Sequence, residues 1–197
     1  MNESTLIPLI SASQPVSYLW LIPFLPLFGF LINGLTGRRL RNNQWVNGIA
    51  LGSVAGSFLL SVFYFLYLLQ LPESSRSLHQ SLWTWFDVGA AQIAGQRLTF
   101  ATVEWAYKFD VLSAAMALLV TGAGFLIHLF STGYMEEEQK DFRYYRFMAY
   151  LNLFVFSMLN LVLGSNILMM FLGWEGVGLC SYLLIGFYFN KTYAGDA

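Results

Sequence analysis

The segment ILMMFLGWEGVGLCSYLLIGFYF, residues 167–189, decides the class of fold. It contains one charged residue, Glu175, in a stretch that is otherwise almost entirely apolar. An α-helix rises about 1.5 Å per residue, so about 20 such residues cross a hydrocarbon core of about 30 Å. The segment is therefore predicted to be a membrane-spanning helix that carries an acid near its middle.

The composition of the whole chain agrees with this class. Of its 197 residues, 57% are hydrophobic and 11% are charged, against roughly 25% charged in an average soluble domain. This balance excludes a water-soluble monomer. The net charge of −1, without a long run of like charges, also excludes nucleic acid as a partner.

The sequence predicts no cofactor and no metal ion in this chain. Cys180 is the single cysteine, which excludes an internal disulfide and a multi-cysteine metal or iron–sulfur site. His79 and His128 are the two histidines and lie far apart in the sequence, so a transition metal lacks an obvious ligand set.

Four further apolar segments predict additional spans. We expect an all-α membrane protein, a bundle of five transmembrane helices. The predicted spans are residues 18–36, 45–71, 111–132, 147–163 and 167–189. The first segment is interpreted as a true span rather than a signal peptide, because no basic region precedes it. In the second, Gly48, Gly52 and Gly56 form a ridge of small residues that predicts close helix packing, with a hinge as the alternative.

The connection over residues 72–110 carries a pattern of its own. Residues 82–88, LWTWFDV, are rich in aromatics, and residues 98–105, LTFATVEW, alternate β-branched and aromatic side chains. Between them, residues 90–96 contain Gly95. The pattern predicts an extramembrane β-hairpin between the second and third helices that contacts a neighbouring subunit. An irregular loop with interfacial aromatics is the alternative.

The basic residues predict the orientation of the chain. Seven of the ten fall in the connections on one side, Arg38, Arg39, Arg41, Lys140, Arg143, Arg146 and Lys191. The remaining three, Arg76, Arg97 and Lys108, lie in the long second connection. Since cytoplasmic loops are enriched in Lys and Arg, the N-terminus is expected outside and the C-terminus in the cytoplasm.

Two residues are candidates for proton chemistry. A charge at mid-membrane costs roughly 2.5 to 3.5 kcal/mol, so Glu175 is a functional-site candidate, and a permanently neutral acid that bonds helices together is the structural alternative. Gly173, Gly176 and Gly178 are expected to leave room around the acid. His128, near the inner end of the third span, could relay protons. A histidine that reaches the membrane interface is the alternative interpretation of His128. Asp110 is expected to cap the third helix.

Several stretches resemble one family of membrane subunits. LGWEGVGLCSYLLIGFY at residues 172–188 is similar to the fifth helix of the L subunit, or chain 5, of proton-pumping NADH–quinone oxidoreductase, respiratory complex I. TGAGFLIHLFSTGYM at 121–135, RFMAYLNLFVFSMLNLVL at 146–163, LWTWFDVG at 82–89 and FDVLS at 109–113 resemble the same subunit in the same order.

The resemblance implies a proton-translocating membrane subunit of a redox-driven translocase. Glu175 would be the family's essential glutamate, with a lysine partner on a later helix. NADH, flavin, iron–sulfur clusters and ubiquinone or another quinone would bind in other subunits. The partners would be other membrane subunits of complex I, the lipid bilayer and protons, in a bacterial inner membrane. Family members are longer, so the chain is expected to be a fragment or a truncated product. A subunit of a cation/proton antiporter and a non-transporting scaffold are the alternatives.

Overall fold

The computed structural model describes residues 14–40, 42–87, 89–93, 96–99, 102–136 and 143–188. These ranges hold five α-helices and five β-strands. The helices are α1 (Leu21–Thr36), α2 (Asn43–Gln70), α3 (Val111–Tyr134), α4 (Tyr144–Leu163) and α5 (Ile167–Ile185). The strands are β1 (Gln14–Pro15), β2 (Ser77–Asp87), β3 (Ala90–Ile93), β4 (Gln96–Thr99) and β5 (Thr102–Asp110). Short 3-10 turns, Glu73–Ser75 and Gly186–Tyr188, follow α2 and α5.

Four of the helices are long and apolar enough to cross a membrane: α2, α3, α4 and α5 with its 3-10 turn. This confirms a mostly helical protein of the membrane class. The remaining helix, α1, is apolar but has 16 residues, about 24 Å of rise. The predicted count of five spans is not confirmed, because four helices qualify and α1 is shorter.

Two prolines affect the start and the packing of α1. A proline lacks the N–H donor and crowds the carbonyl four residues earlier, which is tolerated at Pro23 because it lies in the first turn of α1. Pro26 lies inside the helix and leaves the carbonyl of Ile22 without its helical donor. The Ser57 hydroxyl of α2 donates to this carbonyl at 2.6 Å. A neighbouring helix thus replaces the hydrogen bond that the proline removes.

The connection between α2 and α3 forms a sheet, as predicted. The long strands β2 and β5 pair antiparallel, with two irregularities in register, and β1 adds a short parallel edge. Between β2 and β5 in the sequence, β3 and β4 form a second antiparallel pair. The predicted strand over residues 98–105 is wrong in its bounds, because it covers the end of β4 and the start of β5. Gly89, with φ of +85°, makes the turn between β2 and β3, a conformation that favours glycine.

The sheet is attached to the turn between α4 and α5. The Tyr107 hydroxyl donates to Asn160 Oδ1 at 2.8 Å and accepts from Trp105 Nε1 at 3.0 Å. The Ser165 N–H donates to the carbonyl of Ala106, and Asn166 Nδ2 donates to that of Glu104. Burial raises the pKa of Tyr107 above its ordinary value, and the Trp105 hydrogen bond lowers it in part.

The two ends of the bundle have separate cores. The larger apolar cluster contains residues from all five helices and from the buried face of the sheet, including Leu78 and Phe109. The smaller cluster, around Val46, Met135 and Tyr144, lies where α2 begins and α3 ends. The basic residues Arg38, Arg39, Arg143 and Arg146 flank this second end, and Arg41, Lys140 and Lys191 lie outside the described residues.

The glycine ridge of α2 does not act as predicted along its whole length. A Cβ added at Gly56 would contact Leu25 of α1, but one added at Gly48 or Gly52 would meet nothing within 4 Å among the described residues. The close approach of α1 to α2 occurs instead at Gly29, where a Cβ would clash with Ser53. Whether a glycine lies at the contact between α1 and α2 depends on which face of each helix meets the other. The spacing of the glycines alone does not give that face.

Candidate functional site

One face of α5 packs tightly on α4. A Cβ at Gly173 would clash with the backbone of Leu161, and one at Gly176 would clash with the side chain of Ser157. Farther along the same face, buried Cys180 lies with its Sγ 4.0 Å from the Ser157 Oγ. Glycines therefore permit the two helices to approach backbone to backbone, as is common in membrane bundles.

Glu175 lies on the opposite face of α5. Its side chain is exposed, and the neighbours on this face are large apolar side chains, among them Phe171, Leu179 and Tyr182, which are 53%, 55% and 75% exposed. An acid within an apolar, membrane-length helix is thus placed where another segment, water or lipid reaches it. The described part of the chain does not enclose it.

The role predicted for the three glycines beside Glu175 is wrong for two of them. Gly173 and Gly176 make room for α4 rather than for the acid. Gly178 is different, because a Cβ there would meet nothing within 4 Å among the described residues. Only Gly178 therefore leaves open space on the side of α5 that carries the carboxyl group.

Glu175 has no ionic partner among the described residues. The two ion pairs found there join Arg76 to Glu73 at 3.9 Å and Lys108 to Asp110 at 3.2 Å, both outside the spans. The start of α4 lies three residues earlier than its predicted span and so brings Arg146 into the first turn of that helix. Glu175, by contrast, lies near the middle of α5.

His128 is enclosed in the bundle. It is 1% exposed, its Nδ1 donates to the Gly124 carbonyl at 2.8 Å, and its Nε2 lies 2.9 Å from Asn152 Oδ1 of α4. The alternative of a histidine that reaches the interface is therefore wrong. An imidazole bonded at both nitrogens is held in a fixed orientation between α3 and α4.

The Asn152 carboxamide determines the protonation that His128 can have. Both atoms that face the ring are oxygens, whereas a neutral imidazole has a single N–H donor. Among the described residues, Asn152 Nδ2 has no hydrogen-bond partner. If the oxygen and nitrogen of this carboxamide exchange places, Nδ2 donates to Nε2 and the ring is satisfied in its neutral form. This arrangement avoids a buried cation.

The structure does not bring the two candidate residues together. His128 points from α3 into α4, and Glu175 lies on the face of α5 that is turned away from α4. Asn152 is the polar residue that sequence reasoning missed. The available signal is the set of polar residues in the otherwise apolar α4, Asn152, Ser157 and Asn160, all of which are buried.

Asp110 caps α3 as predicted. Its Oδ1 accepts from the backbone N–H of Ser113 at 2.8 Å. Burial raises the pKa of Asp110, but the hydrogen bonds from Ser113 and Lys108 outweigh burial and hold the pKa below its ordinary value. Asp110 is thus a structural carboxylate at the N-terminal end of α3. The described residues contain no group of three or more His, Cys, Asp or Glu side chains suited to a metal ion.

These features define a class: a helical membrane protein with a sheet at one end and an acid on an uncovered helix face. Two family models match the chain. Residues 98–148 match the model described as NADH-Ubiquinone oxidoreductase (complex I), chain 5 N-terminus. Residues 164–197, which include Glu175, match the model described as NADH:quinone oxidoreductase/Mrp antiporter, TM.

Individual relatives agree with these models. The chain is 44% identical over 174 residues to NADH-quinone oxidoreductase subunit L of Escherichia coli, covering 88% of the chain and 26% of the relative. It is 37% identical over 188 residues to the same subunit of Mycobacterium tuberculosis, covering 95% of the chain and 27% of the relative. To NADH-ubiquinone oxidoreductase chain 5 of Allomyces macrogynus it is 40% identical over 175 residues, covering 88% of the chain and 25% of the relative.

The chain belongs to the family of subunit L, or chain 5, of complex I, whose membrane domains are antiporter-like. It spans about a quarter of the length of these curated relatives. The resemblance predicted from the glutamate-bearing helix is thus confirmed.

Proposed function

We propose that this chain is part of a proton-translocating membrane subunit of NADH–quinone oxidoreductase. Glu175 is the group that takes up and releases the proton. The observation that carries this proposal is a single acid on the open face of an apolar helix of membrane length, within the stretch that matches the antiporter-like model. Redox chemistry, with NADH, flavin, iron–sulfur clusters and quinone, takes place in other subunits.

The uncovered position of Glu175 supports a switching role. An ionised carboxylate facing hydrocarbon is costly unless a cation or water reaches it. A lysine on a later helix of the complete subunit is the proposed partner. When the ion pair breaks, the carboxyl group takes up a proton, and when it reforms, the proton is released.

His128 is a weaker candidate for the relay. Its ring nitrogens face the Gly124 carbonyl and the Asn152 carboxamide, which neither supply nor accept a proton, so a relay requires one of these bonds to open and a water molecule to reach the ring. Because the ring lies between α3 and α4, its route is separate from the open face of α5. We propose it as a second position of proton transfer, subordinate to Glu175.

We propose five spans, with the N-terminus outside and the C-terminus in the cytoplasm of a bacterial cell. The basic residues support this orientation, since Arg38, Arg39, Arg143 and Arg146 gather at the end opposite the sheet. The short helix α1 reaches across the core together with the turn at residues 18–20 that precedes it. Reporter fusions after Gln44 and near Gly89 test the orientation, and activity of a cytoplasmic enzyme at Gly89 alone would contradict it.

Other membrane subunits of complex I, lipid and protons are the proposed partners, and nucleic acid is not. The outer sheet supports contact with a neighbouring subunit, because Trp83, Trp85 and Phe86 are 48%, 37% and 53% exposed on β2. Exposed aromatics of this size are typical of interfaces. Cysteines at Thr84 and Phe86 are expected to cross-link to another chain in the intact complex. Cross-links confined to this chain would contradict the docking role.

A subunit of a cation/proton antiporter is the second candidate function. The model matched by residues 164–197 names the Mrp antiporter together with the quinone oxidoreductase. The similarity over 88% to 95% of the chain is to proteins named for the oxidoreductase, which favours the first proposal over both the antiporter and a non-transporting scaffold. Proton transport that requires quinone reduction distinguishes the oxidoreductase subunit from the antiporter, since an antiporter needs only a cation gradient.

The experiment compares Glu175→Gln and Glu175→Asp with Glu73→Gln in the complete, assembled complex. Glutamine keeps the shape but cannot titrate, so proton uptake into vesicles during quinone reduction is expected to fall by roughly tenfold or more. Aspartate should retain part of the uptake. Glu73, an exposed acid outside the long helices, is the matched control and should behave as wild type. Normal uptake in the glutamine variant would leave Glu175 a structural acid.

A further inference from the structure

Two buried carboxamide groups lie where α1, α2 and α4 meet. Asn33 of α1 and Asn152 of α4 are both 0% exposed. Asn33 Nδ2 donates to the carbonyl of Val46 in α2 at 3.1 Å. Within the described part of the chain, however, neither Asn33 Oδ1 nor Asn152 Nδ2 has a hydrogen-bond partner. Buried polar atoms are almost always paired with protein or with ordered water, so these two unpaired atoms require an explanation.

The two carboxamide side chains lean toward each other. Asn33 lies midway between Gly29 and Gly37 on one face of α1. At Gly37 this face meets Tyr145 of α4, and at Gly29 it meets Asn152, so α1 and α4 run antiparallel. Helical side chains lean toward the N-terminus of their own helix. Asn33 therefore leans toward the level of Asn152, and Asn152 leans back toward the level of Asn33.

Small residues surround the place where the two carboxamides converge. Ala149 lies three residues before Asn152 on the face of α4 that meets α1, and it is 1% exposed. Ala50 lies four residues after Val46 on the face of α2 that meets Asn33, and it is 0% exposed. From these two positions nothing larger than a methyl group reaches inward. The three helices therefore leave room for a small ligand between the carboxamides.

The Ser53 hydroxyl of α2 borders the same place. A Cβ added at Gly29 would clash with both Ser53 Oγ and Asn152 Nδ2, so the glycine brings these two polar groups close to α1. Ser53 Oγ donates to the carbonyl of Ala50 at 2.8 Å. A hydroxyl oxygen can also accept a hydrogen bond, so Ser53 offers a third polar contact to a ligand at this position.

The neutral form of His128 determines which ligand fits. When Asn152 Nδ2 donates to His128 Nε2, Asn152 Oδ1 takes the position beside Gly29. Two carboxamide oxygens, those of Asn33 and Asn152, then face the same place, and each requires a donor. An anion would be repelled by both oxygens, and an apolar ligand would leave both unpaired. A water molecule has two O–H donors and binds where two or more buried polar groups converge.

We propose that one water molecule binds between Asn33 and Asn152 and donates to both carboxamide oxygens, with Ser53 in reach. The water joins α1 to α4 and, through the Asn152 carboxamide, to His128 of α3. It therefore fixes the orientation of Asn152 that leaves the imidazole neutral. The site depends on the packing of α1, α2 and α4, so it holds whether or not His128 transfers protons.

The experiment is an electron cryo-microscopy map of the complete assembled complex at a resolution that shows ordered water. The variants are Asn33→Leu, which removes one acceptor, and Ala149→Val, which fills the space without changing either carboxamide. Ser157→Ala is the matched control, since it removes a buried polar group from the side of α4 that meets α5. The readout is the density peak between Asn33 and Asn152, scaled to the density of the neighbouring side chains.

Wild type and Ser157→Ala are expected to show a peak about 2.8 Å from Asn33 Oδ1 and from the Asn152 carboxamide oxygen. The peak should be absent in Asn33→Leu and in Ala149→Val. A wild-type map without the peak, or with the two carboxamides in direct contact, would overturn the proposal, even if both variants failed to assemble. A peak that is lost when choline replaces sodium in the buffer would assign the site to a cation and would overturn it as well.

Discussion

The neighbouring helices α4 and α5 are both apolar and long enough to span a membrane, yet their polar side chains lie in opposite environments. About 44% of the α4 span is buried, against 17% of the α5 span. On α4, Asn152 and Asn160 contact His128 and Tyr107 from other elements. On α5, Glu175 lies exposed among apolar side chains. Polar groups on α4 hold the fold, whereas the acid on α5 is available for chemistry.

The difference between α4 and α5 follows from the free-energy cost of placing each kind of polar group in a membrane helix. A buried amide that is hydrogen-bonded adds little cost and fixes the orientation of its neighbours. A carboxyl group at membrane depth costs roughly 2.5 to 3.5 kcal/mol when ionised and contributes no contact to the described fold. The fold should therefore tolerate changes at Glu175 and respond strongly to changes on the α4 side.

The largest effect is expected where α5 touches α4. Gly173→Val places side-chain atoms against the backbone of Leu161, which cannot move aside as a flexible side chain could. We expect a loss of about 3 kcal/mol or failure to assemble. The measurement is the thermal unfolding of the purified complex, together with the amount of assembled subunit in membranes.

Gly178→Ala is the control for that variant, because Gly178 is on the open side of α5. Alanine is the better helix former, so stability should stay within about 0.5 kcal/mol of wild type or rise. If Gly178→Ala were as damaging as Gly173→Val, the distinction between the two faces of α5 would be wrong.

A smaller loss is expected when α4 loses its contact with His128. Asn152→Leu leaves Nε2 of a buried imidazole without a partner, at a cost of about 1 to 3 kcal/mol. Adding His128→Leu should recover part of this loss, since both polar groups are then absent. A double-mutant cycle on detergent-solubilised complex measures the coupling, and strictly additive losses would show that the two side chains act independently.

The smallest effect is expected at the sheet end of α4. Tyr107→Phe removes the hydroxyl that joins Trp105 to Asn160, at about 1 kcal/mol. Because burial raises the pKa of Tyr107 in the folded state, its contribution is fully present below its unfolded pKa of about 10 and is lost as the pH rises above that value. Unfolding measured at pH 8 and pH 11 should therefore differ more for wild type than for Tyr107→Phe, and equal differences would remove Tyr107 from this role.

Much of the fold is predictable from the sequence because it depends on local patterns of residues. Apolar runs of sufficient length indicate α2 to α5, and aromatic, alternating segments indicate the sheet. The serine that replaces the hydrogen bond lost at Pro26 is not local, since Ser57 lies 35 residues from Ile22. Partners of this kind depend on which helix faces meet, and that is a property of the folded chain.

The candidate site shows the same division. Glu175 is identifiable because a lone acid in an apolar run is costly wherever the helix packs. The role of the glycines beside it is not identifiable, because residues at 173, 176 and 178 point to different sides of α5, and only the structure shows that two of them face Ser157 and Leu161. Asn152 was missed for a similar reason, since its partner His128 is on another helix.

We propose that Glu175 changes protonation during turnover while α4 holds the fold. Infrared difference spectroscopy of the complete complex, recorded between resting and quinone-reducing states, tests it most directly. Wild type is expected to show a carbonyl band of a protonated carboxylic acid that changes with turnover, shifts in Glu175→Asp and is absent in Glu175→Gln, with thermal stability unchanged. An identical band in wild type and Glu175→Gln would contradict the claim.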